Sequence, residues 1–309
     1  MPIVETLAPL ILLIALGAGL AHIKFLGREF MADLNKLVFW IALPALLFTS
    51  ASHAGESGGQ TWRLLGVLLL GTLLITFVAW GVSFLLRMPP DGRGTMMQSA
   101  FRGNLAYIGV PVLAYSLGGD KKVFATAVIV MVLLMAFYNV LAVIVLHSGS
   151  AHGSDWKRAL CSIATNPLLL AGLLGLIFPY VGITLPVFVN RALDTLGAAA
   201  VPIALLCIGG SLAMTSMRGR RSWIIAAALM KVVVLPLIVF GLAWLAGLGP
   251  QEMRIALVLA SSPTAAAAFV MAKQMGGDEA LASGSIALST LLSAASLAVA
   301  LWVKDGVLF

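Results

Sequence analysis

Long apolar runs alternate with short polar breaks along almost the whole chain. A helix that crosses a bilayer needs about 20 mostly apolar residues. Ten stretches meet that need, at approximately 5–26, 33–53, 62–87, 94–117, 121–147, 159–180, 187–216, 222–247, 252–275 and 279–303. The longest polar break, 147–158 (HSGSAHGSDWKR), lies near the middle. It divides the chain into residues 1–147 and 159–309, with 148–158 as a cytoplasmic linker. The first apolar run is expected to be a retained helix, not a signal peptide. Glu5 stands where a basic leader would be, and no small-residue cleavage site precedes Lys24 and Arg28.

Composition identifies the solvent. The 309 residues are 61% hydrophobic and only 10% charged, with mean hydropathy +1.06. A soluble domain carries about 25% charged residues, so the natural surroundings are lipid. The net charge of +7 could suggest nucleic acid, but the Lys and Arg residues stand singly between apolar runs. The bilayer is therefore the expected partner, with no nucleic acid. Cys161 and Cys207 lie in apolar runs without C-x-x-C spacing, so no metal or disulfide framework is expected.

Cytoplasmic loops retain Lys and Arg. With the N-terminus outside, the cytoplasmic side holds Lys24, Arg28, Lys36, Arg87, Arg93, Arg102, Lys157, Arg158, Arg218, Arg220, Arg221 and Lys273. The outer side holds Arg63, Lys121, Lys122, Arg191, Arg254 and Lys304. Twelve against six predicts both termini outside.

The two halves also resemble each other. At one offset of 158, Pro9 falls on Pro167, Gly17 on Gly175 and Pro44 on Pro202. At the same offset Gly118-Gly119-Asp120 falls on Gly276-Gly277-Asp278. Five spans per half is an odd number, so the second half enters the membrane from the opposite side. The expected fold is an all-α integral membrane protein of ten transmembrane helices in two inverted five-helix repeats, a hallmark of secondary transporters.

In such folds the site lies where paired helices break near mid-membrane. The fourth span contains Gly103, Asn104, Gly109 and Pro111; the ninth contains Ser262, Pro263 and Thr264. Proline removes an N–H and crowds the preceding turn, and the freed groups cannot face lipid. Ser262 followed by Pro263 has the look of an N-cap and first helical position, and Gly109 with Pro111 could restart the fourth helix in the same way. Two half-helix N-termini would then converge, offering N–H donors and positive dipole ends to an anion. At the 158 offset Asn104 faces Ser262.

Lys231 lies about ten residues inside the eighth span, where a charge is functional by default. It could balance an anionic substrate, or snorkel to the cytoplasmic side. Arg102 and Tyr107 are candidates for entry or gating. All twelve acids stand at span edges or in loops, and no carboxylate pair lies at depth. That argues against cation exchange and favours an anion carrier. The four histidines are also edge or loop residues.

These residues, taken together, resemble the auxin efflux carrier family, including its bacterial malate-permease-like members. Leu34-Asn35 with Ala42 to Phe48 is similar to its second helix. Asn104-x4-Gly109-x-Pro111 is similar to its broken fourth helix, Lys231-x4-Pro236 to its eighth, and Pro263 with Phe269 to Lys273 to its ninth. The resemblance implies crossing helices four and nine and an elevator-like or rocking movement of an organic anion such as malate, malonate or an auxin-like acid. It also implies a bacterial inner membrane, efflux as the direction, and a possible homodimer. The short linker matches bacterial members; Ala268 stands where a second proline is expected. The expected driving force is the substrate gradient, the membrane potential or a proton, with no cofactor. The alternatives are a bile-acid-type sodium symporter, a channel and an intramembrane enzyme. No H-E-x-x-H motif, no deep aspartate pair and no charged ring supports the last two.

Overall fold

The computed structural model describes residues 3–52, 59–117, 120–148, 161, 164–214 and 219–303. Apart from Ser148, the linker at 148–158 lies outside the described residues, as do Gly118 and Gly119. The named elements are all helical. In order they are α1 (Ile3–His22), α2 (Arg28–Leu37), α3 (Leu43–Ser52), α4 (Gly59–Leu85), α5 (Pro90–Phe101), α6 (Val110–Ser116) and α7 (Lys121–His147). There follow α8 (Pro167–Tyr180), α9 (Val187–Met214), α10 (Arg221–Leu229), α11 (Leu235–Leu245), α12 (Pro250–Ser261), α13 (Ala267–Gln274) and α14 (Glu279–Trp302).

Among the described residues, six helices are long and apolar enough to cross a membrane: Glu29–Ser52, Gly59–Leu85, Lys121–His147, Val187–Ala213, Arg221–Leu245 and Glu279–Trp302. Ala8–His22, Leu105–Ser116 and Pro167–Pro179 are shorter apolar helices. The fourth and ninth of the expected spans are each divided in two, so their pieces fall short of a membrane's thickness one by one. The chain is a multi-pass membrane protein.

Among the described residues, three wide π turns interrupt the helices, at Val38–Ala42, Leu105–Gly109 and Met230–Val234. Each ends two residues before a proline: Pro44, Pro111 and Pro236. Proline cannot donate, and its ring crowds the carbonyl four residues back; a wider turn gives that carbonyl room. For Pro236 the freed carbonyl is that of Val232, and Ser296 Oγ donates to it at 2.5 Å. Ser296→Ala should therefore lower stability by about 1 kcal/mol, read as a lower midpoint in thermal melts of the purified protein. The fourth helix restarts at Leu105, not at Gly109 or Pro111 as the sequence pattern predicts. The π turn lets Pro111 sit inside a helix already under way.

The chain forms two compact units. The first comprises Met1–Gly58, Ala106–Val132 and Ala164–Thr215. In it α1 packs on α9 and α8 packs on α3. Both contacts need glycine, because a Cβ on Gly17 would strike Leu206 O and one on Gly175 would strike Phe48 O. Adding 158 to Gly17 and to Phe48 gives Gly175 and Leu206, so these are one contact with the two halves exchanged.

The second unit comprises Gly59–Leu105, Leu133–Ile163 and Ser216–Phe309. Small residues bring its helices together: Gly71 lies against Val239, Gly94 against Val145 and Gly284 against Ile224. Ser285, Ser289 and Ser293 recur every four residues along one face of α14, and all three are buried. At one end of the unit Asp278 N donates to Thr95 Oγ1 at 2.9 Å, joining the starts of α14 and α5.

Candidate functional site

Two half-helices of the second unit, α5 and α12, start alike and stop alike. Each begins with a proline in its first turn, Pro90 and Pro250, where a missing N–H costs nothing. Each is preceded by a turn through positive φ, 51° at Arg87 and 62° at Gly247. These matched positions are 160 apart. At the far end α5 stops at Arg102, which is extended at φ −72°, ψ 93°. The α12 helix stops at Ser262, with φ −60°, ψ 133°. The ring of Pro263 excludes Ser262 from the helical region, so the sequence itself ends this helix.

The two extended stretches then pair with each other. Asn104 N donates to Pro263 O at 2.7 Å and Ala265 N donates to Arg102 O at 2.9 Å. Gly103 and Thr264 form an isolated antiparallel bridge. Backbone groups freed by two helix breaks thus satisfy each other, as an apolar medium demands. The pairing is centred on residues 160 apart, 103 and 104 against 263 and 264. On this register Asn104 corresponds to Thr264, not to Ser262.

Side chains extend the crossing. Thr264 N donates to Ser289 Oγ at 3.0 Å, and Thr264 Oγ1 donates to Ser99 O at 2.9 Å. Gln98 Nε2 donates to Ala268 O at 2.8 Å, and Ala268 N donates to Ala265 O at 2.9 Å. A proline at 268 would lose that second bond. Lys231 and Arg102 are both buried. Lys231 Nζ donates to Ala260 O at 2.6 Å. Arg102 Nη2 donates to Asn139 Oδ1, and Nη1 to Tyr138 O at 3.4 Å. Among the described residues, the buried side-chain atoms Gln98 Oε1, Ser99 Oγ and Ser261 Oγ have no partner; such groups call for an explanation.

Several expectations change here. Ser262 is not an N-cap: its Oγ donates back to Val258 O at 2.9 Å, and the helix resumes only at Ala267. Pro263 is therefore not a first helical residue. Lys231 does not snorkel, since its ammonium is held by a carbonyl in the interior. The second unit brings together Arg102, Asn104, Lys231, Ser262, Pro263 and Thr264. Tyr107, Gly109 and Pro111 belong to the first unit, where Tyr107 Oη donates to Asn35 O at 3.4 Å.

Gln98, Ser99, Asn139, Ser261 and Ser289 are additions that no motif singles out. The four-residue spacing of serines in α14 was the available signal for Ser289. Gly55-Glu56-Ser57-Gly58-Gly59 carries G-x-S-x-G spacing, but that motif works at a strand-to-helix turn. Residues 53–58 lie outside the described residues, and no strand is named among those described.

The family model described as "Membrane transport protein" matches residues 2–156 and 154–302. A protein of Rhizobium meliloti named "Putative malonate transporter" is 29% identical over 96% of this chain and 94% of its own length. An "Uncharacterized transporter" of Methanothermobacter thermautotrophicus is 29% identical over 95% of each chain. The "Uncharacterized transporter YfdV" of Escherichia coli K12 is 22% identical over 92% of each.

Proposed function

Because the chain belongs to the auxin efflux carrier family of membrane transport proteins, we propose that it is a secondary carrier of a small organic anion. Malonate is the first substrate to test, given the name of one relative. The observation that carries the reading is the crossing of two broken helices, with Lys231 and Arg102 buried beside it and, among the described residues, no carboxylate bonded to either. Buried cations of this kind leave positive charge for an anion to balance. Lys231 uses one of its three donors on Ala260 O and keeps two for a carboxylate. The partnerless Ser99 and Ser261 hydroxyls are further donors in reserve. Asn104, Ser262, Pro263 and Thr264 line the crossing in this reading.

The proposed architecture is ten spans in two inverted five-helix repeats. It is supported by the exchanged Gly17–Leu206 and Gly175–Phe48 contacts and by the matched starts of α5 and α12. The proposed setting is a bacterial inner membrane with both termini outside. Efflux is driven there by the substrate gradient, the membrane potential or a proton.

Thermal melts of the purified protein against a panel of organic acids test the substrate. A ligand that binds the folded form raises the midpoint, by about 2.7 kcal/mol of stabilisation at a hundredfold excess over Kd. Malonate or a near dicarboxylate should raise it, and the same acid should move into proteoliposomes. A panel with no responder, together with no flux, would sink the reading.

A further inference from the structure

A helix that stops inside the membrane leaves its last carbonyls without intrahelical partners, and that end carries partial negative charge. In discontinuous helices of secondary transporters, such carbonyls are where a coupling cation binds. Here α12 ends in this way, and one of its carbonyls is already occupied by a cation that belongs to the chain. Lys231 Nζ donates to Ala260 O at 2.6 Å. Thr264, whose N–H would have served Ala260 in an unbroken helix, donates to Ser289 Oγ instead. Lys231 leaves the π turn at Met230–Val234 and is fully buried. Its Cε lies 3.6 Å from the position of a Cβ on Gly103, and Leu259 O lies 3.5 Å from that same position. The buried Ser261 Oγ on the last turn of α12 has no partner. The ammonium therefore sits on a carbonyl at the end of α12, with its Cε against the opposing extended stretch at Gly103.

No described carboxylate competes for it. The acids on the elements packed around it are Asp91, Glu252 and Glu279, each in the first turn of its helix. Glu252 is two turns away from Ala260 along α12. The other charged group beside the crossing is Arg102, itself a cation, which is turned to Asn139 and Tyr138.

We propose that Lys231 is a tethered cation in the place of a coupling ion. Anion movement by this chain is then independent of sodium. Cutting the side chain back opens a monovalent-cation site at the end of α12, with Ala260 O, the carbonyl that Lys231 now occupies, as its first ligand. The proposal deepens the carrier reading and rests on it for its flux arm, but not for the ion site itself.

Melts of purified wild type, Lys231→Ala and Lys231→Met in sodium chloride against choline chloride at equal ionic strength decide it. Wild type should melt alike in both salts. Lys231→Ala should melt lower in choline and recover by several degrees, saturably, with sodium. Lys231→Met fills the space without charge and should gain nothing. Lys231→Ser, which adds a hydroxyl ligand, is the second opened variant and is read in the same way. In proteoliposomes, wild-type uptake of radiolabelled malonate should be unchanged when choline replaces sodium, and uptake by Lys231→Ala should return with sodium. A sodium response of wild type, or opened variants no more responsive than Lys231→Met, overturns the proposal. Failure of wild type to bind or move malonate would overturn the substrate reading instead, and the melts would still decide the ion site.

Discussion

Gly209→Ala is expected to cost the first unit about 3 kcal/mol, lowering the melting midpoint by about 5 °C or more. A Cβ at Gly209 would strike Ile14 O and come within 2.8 Å of Ala18 N. Both are backbone atoms of α1, so no rotamer change can relieve the contact, and α1 and α9 would have to part along their shared face. Gly19 is the control. It lies on the same helix as Ile14, and nothing stands within 4 Å of a Cβ there. Gly19→Ala should be neutral, or stabilising by up to about 1 kcal/mol as helix-interior glycine is relieved. Melts of the two variants side by side check the pair. Equal midpoints would mean that the α1–α9 contact is not the tight one described.

Asn104→Ala should cut malonate flux in proteoliposomes by at least about tenfold, the cost of a lost hydrogen bond to a charged group. The backbone N–H of residue 104, which donates to Pro263 O, is kept in the alanine variant, so that bond of the crossing should survive. Reduced flux from a protein that still melts cooperatively is therefore the expected signature. Normal flux would remove Asn104 from the binding site, and a collapsed midpoint would mean that the side chain holds the fold.

The chain's amphipathy was legible because lipid is an unforgiving solvent. A run of about 20 apolar residues has few alternatives to a spanning helix, so the positions of most helices follow from the sequence. The break at Ser262 was legible for an equally local reason, since proline restricts the residue before it. The break at Arg102 was placed in the right span but restarted four residues too late. Glycine and proline mark a disturbance without saying whether a π turn will absorb it.

Three things were decided by tertiary structure. The register of the crossing is one: the 158 offset holds for Pro9, Gly17 and Pro44, yet the paired strands are centred at 160. Two unpaired backbones settle against each other wherever their hydrogen bonds close, not where the repeat aligns. The partner of Lys231 is another. Its position in an apolar run marks it as unusual, but only the folded chain brings Ala260 O, 29 residues away, to its ammonium. The third is the surroundings of Thr264, whose partners Ser99 and Ser289 come from helices distant in the chain. Hydrophobic pattern and proline act through neighbours along the chain and are written in the sequence. A buried polar group must instead find its bond partner in three dimensions, and which one it finds depends on how every helix around it has packed.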